Sequence, residues 1–71
     1  MKIYSFVMGY EYDGELIHSY HKTKEGATKA MFKYVQEFHP DAVKSVNKLG
    51  NTIFKYWDST YYVEEIEVND D

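Results

Sequence analysis

A regular alternation of apolar and polar side chains near the N-terminus predicts a β-hairpin. Every second residue from Tyr4 to Tyr12 is aromatic or methionine, which is typical of a strand with one buried face. Residues 15–21 alternate again after Asp13-Gly14, a pair that two-residue type I′ turns favour. The pattern therefore predicts a hairpin over residues 1–21.

The register of this hairpin depends on the length of its turn. A two-residue turn at Asp13-Gly14 places Tyr10 opposite Ile17 and Met8 opposite Ser19. A type I′ turn also requires a positive φ at its second residue, which glycine adopts without steric cost. We therefore expect a positive φ at Gly14.

A helical pattern follows the hairpin, over residues 23–38. Thr23 suits the N-cap because its hydroxyl can accept a hydrogen bond from a first-turn N–H, and Glu25 suits the positive end of the helix dipole. The pattern stops at His39-Pro40, since the residue before a proline is disfavoured in helices. The apolar stripe of this helix consists of Ala27, Met31, Tyr34, Val35 and Phe38.

The last part of the chain, residues 42–68, predicts two or three further strands. Residues 52–57 and 60–68 are rich in β-branched and aromatic side chains and are joined around Asp58-Ser59. Residues 41–51 suit either a short helix, from their apolar spacing, or a strand and a turn, and we favour the strand.

A β-bulge and a frayed tail are predicted near the C-terminus, the bulge from side-chain parity and the tail from polar composition. Tyr61 and Val63 share one parity, whereas Ile66 and Val68 share the other. A β-bulge near Glu64-Glu65 would restore one continuous apolar face. Residues 69–71 are polar and suit a frayed tail.

These elements predict an α+β fold in the order ββαββ(β), with one helix packed on an antiparallel sheet. The length of 71 residues has room for one domain, which we expect to span residues 1–71. The other face of the sheet would be solvated or would bind a partner. The expected core consists of Phe6, Met8, Met31, Tyr34, Phe38, Phe54 and Val63.

The composition excludes several classes of site. The chain has no cysteine, which excludes disulfides and thiolate zinc sites, and no arginine, which disfavours sequence-specific reading of DNA. No apolar run approaches the roughly 20 residues of a membrane span, and Met1 leads into a strand pattern without the features of a signal peptide. We therefore expect a full-length cytosolic protein, with no cofactor.

Charge is unevenly distributed around the net value of −4. Residues 22–48 carry six lysines and three acidic residues, whereas residues 49–71 carry one lysine and six acidic residues. Acidic surfaces repel a phosphate chain and attract basic proteins. We therefore expect a protein partner with a basic surface, and no direct sequence-specific binding to nucleic acid.

Candidate catalytic and metal-binding groups do not converge in the sequence. His18 and His21 are an odd number of strand positions apart, so we expect them on opposite faces, and His39 adds no ligand spacing. Adjacent Glu64 and Glu65 diverge in the same way. The chain has neither a nucleophile motif nor a glycine-rich phosphate loop. We expect a protein that is not an enzyme, with no catalytic residue and no metal site.

Aromatic residues are unusually frequent, with eight tyrosines beside one tryptophan. One small core cannot hold all of these rings, so some must lie at an interface, and we expect a homodimer. The predicted partner-binding surface combines aromatic and acidic residues, namely Glu11, Asp13, Trp57, Asp58, Tyr62, Glu64, Glu65 and Glu67. Its acidic members would form a continuous negative rim around exposed rings. An alternative ligand-binding surface consists of Lys22, Lys24, Lys29 and Lys33.

The succession of Asp13-Gly14, Tyr20-His21-Lys22 and a capped helix resembles the small acidic phage inhibitors of uracil-DNA glycosylase over residues 13–38. In that family, the strand, the turn, the second strand and the helix belong to a dimer that imitates DNA. The resemblance implies that a small acidic domain occupies the nucleic-acid site of a host enzyme. This chain has an additional C-terminal strand pair, and Lys29 stands where the family inserts a helical phenylalanine, so no binding residue is carried over.

The function that we expect is that of a small acidic phage-type accessory protein. It would inhibit a bacterial enzyme of nucleic-acid processing or defence by protein–protein contact, including as a DNA mimic. Short length, the absence of Cys and Arg, and a composition rich in Lys and Tyr are typical of mobile elements of low-GC bacteria, so we expect the protein in the cytoplasm of a bacterial host cell. Two alternatives remain open, an oligomer that sequesters a nucleotide or other small ligand and a structural or assembly protein.

Overall fold

The computed structural model describes residues 1–69, which form five strands and one helix. The elements are β1 (Lys2–Tyr10), β2 (Gly14–His21), α1 (Lys24–Phe38), β3 (Val43–Val46), β4 (Thr52–Tyr56) and β5 (Ser59–Glu67). All strand pairs are antiparallel and lie in the order β2-β1-β5-β4-β3, with α1 against β1, β5 and β2. The predicted α+β fold is confirmed, and the ambiguous segment contains strand β3. Of the predicted tail, residues 70–71 lie outside the described residues.

The helix α1 begins and ends where its flanking residues predict. Thr23 has an extended backbone, and its Oγ1 accepts a hydrogen bond of 3.0 Å from the Gly26 N–H. His39, before Pro40, has left the helical region with φ −139° and ψ 63°. This helix, the one helix of residues 1–69, is too short and too polar to cross a membrane.

The first hairpin has a three-residue loop, residues 11–13, and the predicted two-residue turn is wrong. Tyr10 pairs with Gly14 and Met8 pairs with Leu16, so the expected register with Ile17 and Ser19 does not form. Gly14 does have the predicted positive φ, at +82°. Three-residue hairpin loops also close with a left-handed residue, which explains why the glycine was identified correctly and the register was not.

The bulge of the sheet lies in β2, and the bulge predicted near Glu64-Glu65 is wrong. β5 pairs with β1 without interruption along its whole length. In β2, Ile17 and Ser19 pair with consecutive residues of β1, so His18 between them is the extra residue. The His18 ring packs on the Phe6 ring with centroids 4.9 Å apart.

The core lies between α1 and one face of the sheet. As predicted, it contains Phe6, Met8, Met31 and Phe54. It also contains Ala27, Val35 and Tyr61. Tyr34 and Val63 are half-buried, whereas Phe38 is 57% exposed and its predicted burial is wrong. Phe38 is the last residue of α1, and its ring lies against Tyr34 with centroids 4.8 Å apart.

The other sheet face, which we call the open face, is not covered by α1. Val7 points to this face and yet is 1% exposed, because Ile17 on β2 and Tyr62 on β5 flank it. Ile66 also lies on the open face, opposite Ile3. Since apolar residues are buried on both faces, the change of parity along β5 needs no bulge.

Candidate functional site

Two connecting loops meet at one end of the sheet. Residues 11–13 join β1 to β2, and Trp57-Asp58 joins β4 to β5. Both loops emerge from the same end because β1 and β5 are antiparallel neighbours. The Glu11 N–H donates a hydrogen bond of 3.0 Å to the carbonyl oxygen of Asp58, which fixes one loop against the other. We call residues 11–13 and 57–58 the turn end.

The turn end exposes two large aromatic side chains. Tyr12 is 84% exposed and Trp57 is 81% exposed. The Trp57 ring meets the Tyr56 ring edge-on, with centroids 6.3 Å apart. Exposed Tyr and Trp bury a large apolar area when a partner covers them, and both residues are enriched at protein interfaces. The turn end therefore has the side chains of a contact surface.

The backbone at Trp57 has a conformation that favours glycine. Its φ is +55°, the one positive φ of a non-glycine residue in the described part of the chain. Tyr56 and Ser59 flank a two-residue loop, and tight hairpin loops of this length need a positive φ at the first loop position. A side chain in this region costs about 1–2 kcal/mol. Because the exposed ring packs on little else, local stability does not account for tryptophan at this position.

Acidic side chains surround the two rings. Glu11, Asp13 and Asp58 are all exposed at the turn end. A groove of about 460 Å³ beside them adds Glu15 to this acidic surface, and Lys55 is the one basic residue among the described residues that line the groove. The turn end therefore lies in a negative electrostatic field that attracts cationic groups.

Tyr62 forms a wall of this groove. Its ring lies over Gly9, where an added Cβ would be 3.5 Å from Cε1 of the ring. Burial raises the pKa of Tyr62, and a hydrogen bond to Glu15 and the charges of Glu15 and Glu64 raise it further. The hydroxyl therefore stays protonated and the ring is held against the sheet, so Tyr62 is less free to contact a partner than Tyr12 or Trp57.

The predicted negative rim is divided by the length of β5, whose nine residues span roughly 27–30 Å. Glu65 and Glu67 lie toward the far end of this strand, and Glu64 points to the open face. Lys2 Nζ is 3.3 Å from Glu65 Oε1, and the N-terminal amine is 3.6 Å from Glu67 Oε1. A hydrogen bond and the charge of Glu65, followed by the charge of Glu67, raise the pKa of Lys2. The structure brings together Glu11, Asp13, Trp57 and Asp58.

Three of the four lysines of the alternative site line a shallow groove on the exposed face of α1. Lys24, Lys29 and Lys33 line this groove of about 700 Å³, and Lys22 does not. Phe32 lies among them, but its ring packs edge-on against Phe54 with centroids 5.0 Å apart. The Lys44 ammonium lies 5.3 Å from the centroid of the Phe32 ring. Because Lys44 occupies one ring face, Phe32 is a poor platform for stacking a nucleotide base.

The bulge in β2 brings together polar groups that parity alone separates. His18 and His21 do not lie on opposite faces, and that prediction is wrong, because the bulge changes the parity between them. Ser19 Oγ is 2.8 Å from His21 Nε2 and 3.3 Å from His18 Nδ1. A nucleophilic site also needs a third group that orients the base, and His21 Nδ1 has no hydrogen-bond partner within residues 1–69. Across the same residues, no group of three or more His, Asp or Glu could hold a metal ion.

Sequence reasoning missed Tyr12 as part of the site. It placed Tyr12 inside the first strand, whereas β1 ends at Tyr10. The available signal was Gly14, because a left-handed glycine closes a three-residue loop as well as a two-residue turn. The three-residue loop moves Tyr12 from a sheet face to the exposed turn end.

The turn end combines two exposed rings with three carboxylates on loops that are hydrogen-bonded to each other. Such a surface can bind a cationic protein surface through burial of the rings and through complementary charge. The chain matches no protein-family model, and comparison with curated proteins and with solved structures found no significant match.

Proposed function

We propose that this protein binds another protein through the turn end and inhibits or modulates it, without being an enzyme. The observation that supports this proposal is the position of Trp57. Its ring is exposed and its backbone conformation favours glycine, so tryptophan there disfavours folding locally. A contact with a partner would explain why the position nevertheless holds a large aromatic residue.

The chemistry of the turn end favours a basic cleft as its target. Rings surrounded by carboxylates offer the two features by which nucleic acids are bound, flat aromatic surfaces and negative charge. A cleft that binds nucleic acid therefore suits the turn end. We propose that the target is a nucleic-acid-processing or defence enzyme of a bacterial host, in line with the resemblance to the phage inhibitors of uracil-DNA glycosylase.

The two kinds of side chain would contribute differently to binding. Tyr12 and Trp57 would supply most of the affinity, because large rings buried at the centre of an interface dominate its free energy. Glu11, Asp13 and Asp58 would mainly raise the association rate by electrostatic steering. Dissociation would therefore depend on the rings and the salt response would depend on the carboxylates.

We also propose that the protein forms a homodimer through β2. This strand lies at the edge of the sheet, and Leu16, Ile17 and Tyr20 are exposed on it. An edge strand that carries exposed apolar side chains offers its unpaired backbone groups to a second chain. Isologous pairing of two β2 strands would cover these residues.

Affinity capture from a bacterial lysate, with matched variants, tests the proposed function. The bait is the wild-type protein, and Trp57→Gly removes the ring at a position where the backbone favours glycine. Val46→Ala is the control, since it removes an exposed apolar side chain from β3, away from both the turn end and β2. We expect one protein to be retained by the wild type and by Val46→Ala, and to be lost with Trp57→Gly.

The captured protein is then assayed for binding of nucleic acid with increasing amounts of wild-type protein. Competition supports the proposal. The proposal is contradicted if all three baits retain the captured protein. It is also contradicted if the affinity of the captured protein for nucleic acid stays the same as wild-type protein is added. Recovery of a bound nucleotide by mass spectrometry would instead favour the lysine-lined groove on α1.

A further inference from the structure

Most of β5 has a strand neighbour on one side alone. β4 pairs with β5 over three residue pairs, which end at Phe54 and Tyr61. β5 then continues beside β1 as far as Glu67. Within residues 1–69, the part of β5 from residue 62 onward therefore has an edge that no other strand covers, although β5 lies in the middle of the sheet.

The backbone groups at this edge belong to alternate residues of β5. Tyr56 and Ser59 flank the two-residue loop and form a hydrogen-bonded pair, so the N–H and C=O of Ser59 point toward β4. The backbone groups of the alternate, even-numbered residues of β5 point toward β1. The hydrogen bond of 2.7 Å from the Val68 N–H to the Met1 carbonyl oxygen, just beyond the strand, has this direction. The residues whose backbone groups face the uncovered edge are Val63, Glu65 and Glu67.

A cleft of about 540 Å³ lies beside this edge. The loop between β3 and β4 forms its other wall, and Lys24 at the start of α1 also lines it. Asn47 shapes this loop, because its Oδ1 accepts hydrogen bonds of 3.0 Å from the N–H groups of Leu49 and Asn51. Leu49 lines the cleft and is 84% exposed. The cleft therefore lies between a strand edge and a hydrogen-bonded loop.

We propose that this cleft binds an extended segment of a partner protein, which pairs with β5 as an added strand. The backbone groups of Val63, Glu65 and Glu67 would form the main-chain hydrogen bonds of such a complex. The side chains of these three residues share one face, so the added strand would place an apolar residue beside Val63 and basic residues beside the two glutamates. The occupant is a segment with basic residues at alternate positions.

A second copy of this chain does not suit the same edge. Antiparallel pairing of two β5 strands about Glu65 would set this glutamate opposite itself and Val63 opposite Glu67. Like charges directly opposite each other in a sheet are destabilising. The charge of β5 therefore selects a basic segment over a second β5. This inference does not depend on the turn end, which lies at the other end of β5.

Amide hydrogen exchange tests the cleft residue by residue. The probe is a capped peptide of six residues, Lys-Thr-Lys-Thr-Val-Thr, which in antiparallel pairing places its two lysines beside Glu67 and Glu65 and its valine beside Val63. One control peptide has glutamate in place of lysine, and another is the lysine peptide N-methylated at every residue, which keeps the charge and removes the donors for strand pairing. We expect the lysine peptide to slow exchange of the Val63, Glu65 and Glu67 amides about 10-fold or more. The amides of Glu64 and Ile66 face β1 and should change little.

Three results would overturn the proposal. In the first two, the N-methylated peptide or the glutamate peptide slows amide exchange as much as the lysine peptide does. In the third, a higher concentration of the protein alone, without any peptide, slows exchange of the same amides. The variant Glu65→Lys with Glu67→Lys gives the converse test, because it should prefer the glutamate peptide. It should remain folded, since the ion pairs that it loses are exposed and such pairs contribute little to stability.

Discussion

Replacing Trp57 by glycine and by alanine separates the cost of this residue to folding from its role in binding. Both variants lose the ring, and they differ in the Cβ. At φ +55°, a Cβ costs about 1–2 kcal/mol, whereas glycine costs about 0.4–1 kcal/mol through the larger entropy of the unfolded chain. We therefore expect Trp57→Gly to be more stable than Trp57→Ala by about 0.5–1 kcal/mol, the reverse of the usual order in helices and strands.

Thermal unfolding followed by far-UV circular dichroism measures this difference. In a domain of this size, about 1 kcal/mol changes Tm by about 4–8 °C, so the glycine variant should melt at least about 2 °C higher. Affinity for the captured partner should fall equally in both variants, by about 30-fold or more, because both lose the same ring. If Trp57→Ala melts with or above Trp57→Gly, the backbone argument is wrong. If Trp57→Gly binds as tightly as the wild type, Trp57 is not a contact residue.

Three other perturbations examine the core, the open face and the sheet edge. Phe54→Ala should cost about 3–5 kcal/mol of stability, whereas Phe38→Ala should cost about 1 kcal/mol or less at its exposed site; equal midpoints in urea would contradict the core assignment. Because the pKa of Tyr62 is raised in the folded protein, the free energy of unfolding should fall as pH rises above about 10, where the unfolded chain releases the phenolic proton first. Tyr62→Phe has no such proton, so its free energy of unfolding should fall less steeply, by up to about 1.4 kcal/mol per pH unit. Urea unfolding at several alkaline pH values measures this slope, and an unchanged slope would refute the assignment. Sedimentation at micromolar concentration should show a dimer that Tyr20→Lys dissociates; a monomeric wild type would leave Tyr20 to another partner.

Local signals in the sequence were enough to predict the order of the elements. Thr23 and Pro40 bound α1 through capping and steric exclusion, which depend only on neighbouring residues. Alternation of apolar residues likewise identified the first two strands. Because these effects act over a few residues, the α+β fold could be predicted without knowledge of the strand order.

Register and burial depended on information that local patterns lack. Gly14 with a positive φ fits a two-residue turn and a three-residue loop equally well, so the sequence did not fix the pairing of β2. Phe38 lies on the apolar stripe, but its burial depends on whether the sheet extends beneath the last turn of α1. The change of parity at Ile66 suggested a bulge because burial of Val7 on the open face was not foreseen.

Only part of the candidate site was predicted, because strand pairing, which local patterns do not determine, decides which residues come together. Glu11, Asp13, Trp57 and Asp58 come together because β1 and β5 are neighbours, which the sequence permitted but did not determine. The glutamates at the far end of β5 were included on charge alone. Their separation from the turn end depends on the length of β5 and on its uninterrupted pairing with β1.

The association rate with the captured partner, measured by stopped flow at several salt concentrations, tests the central claim most directly. One variant neutralises the turn end by Glu11→Gln, Asp13→Asn and Asp58→Asn. A matched variant neutralises three acidic residues of β5 by Glu64→Gln, Glu65→Gln and Glu67→Gln. We expect the wild-type rate to fall about 10-fold as salt rises, the first variant to associate slowly with little response to salt, and the second to stay close to the wild type. A turn-end variant that associates as fast as the wild type, with the same response to salt, would contradict the account.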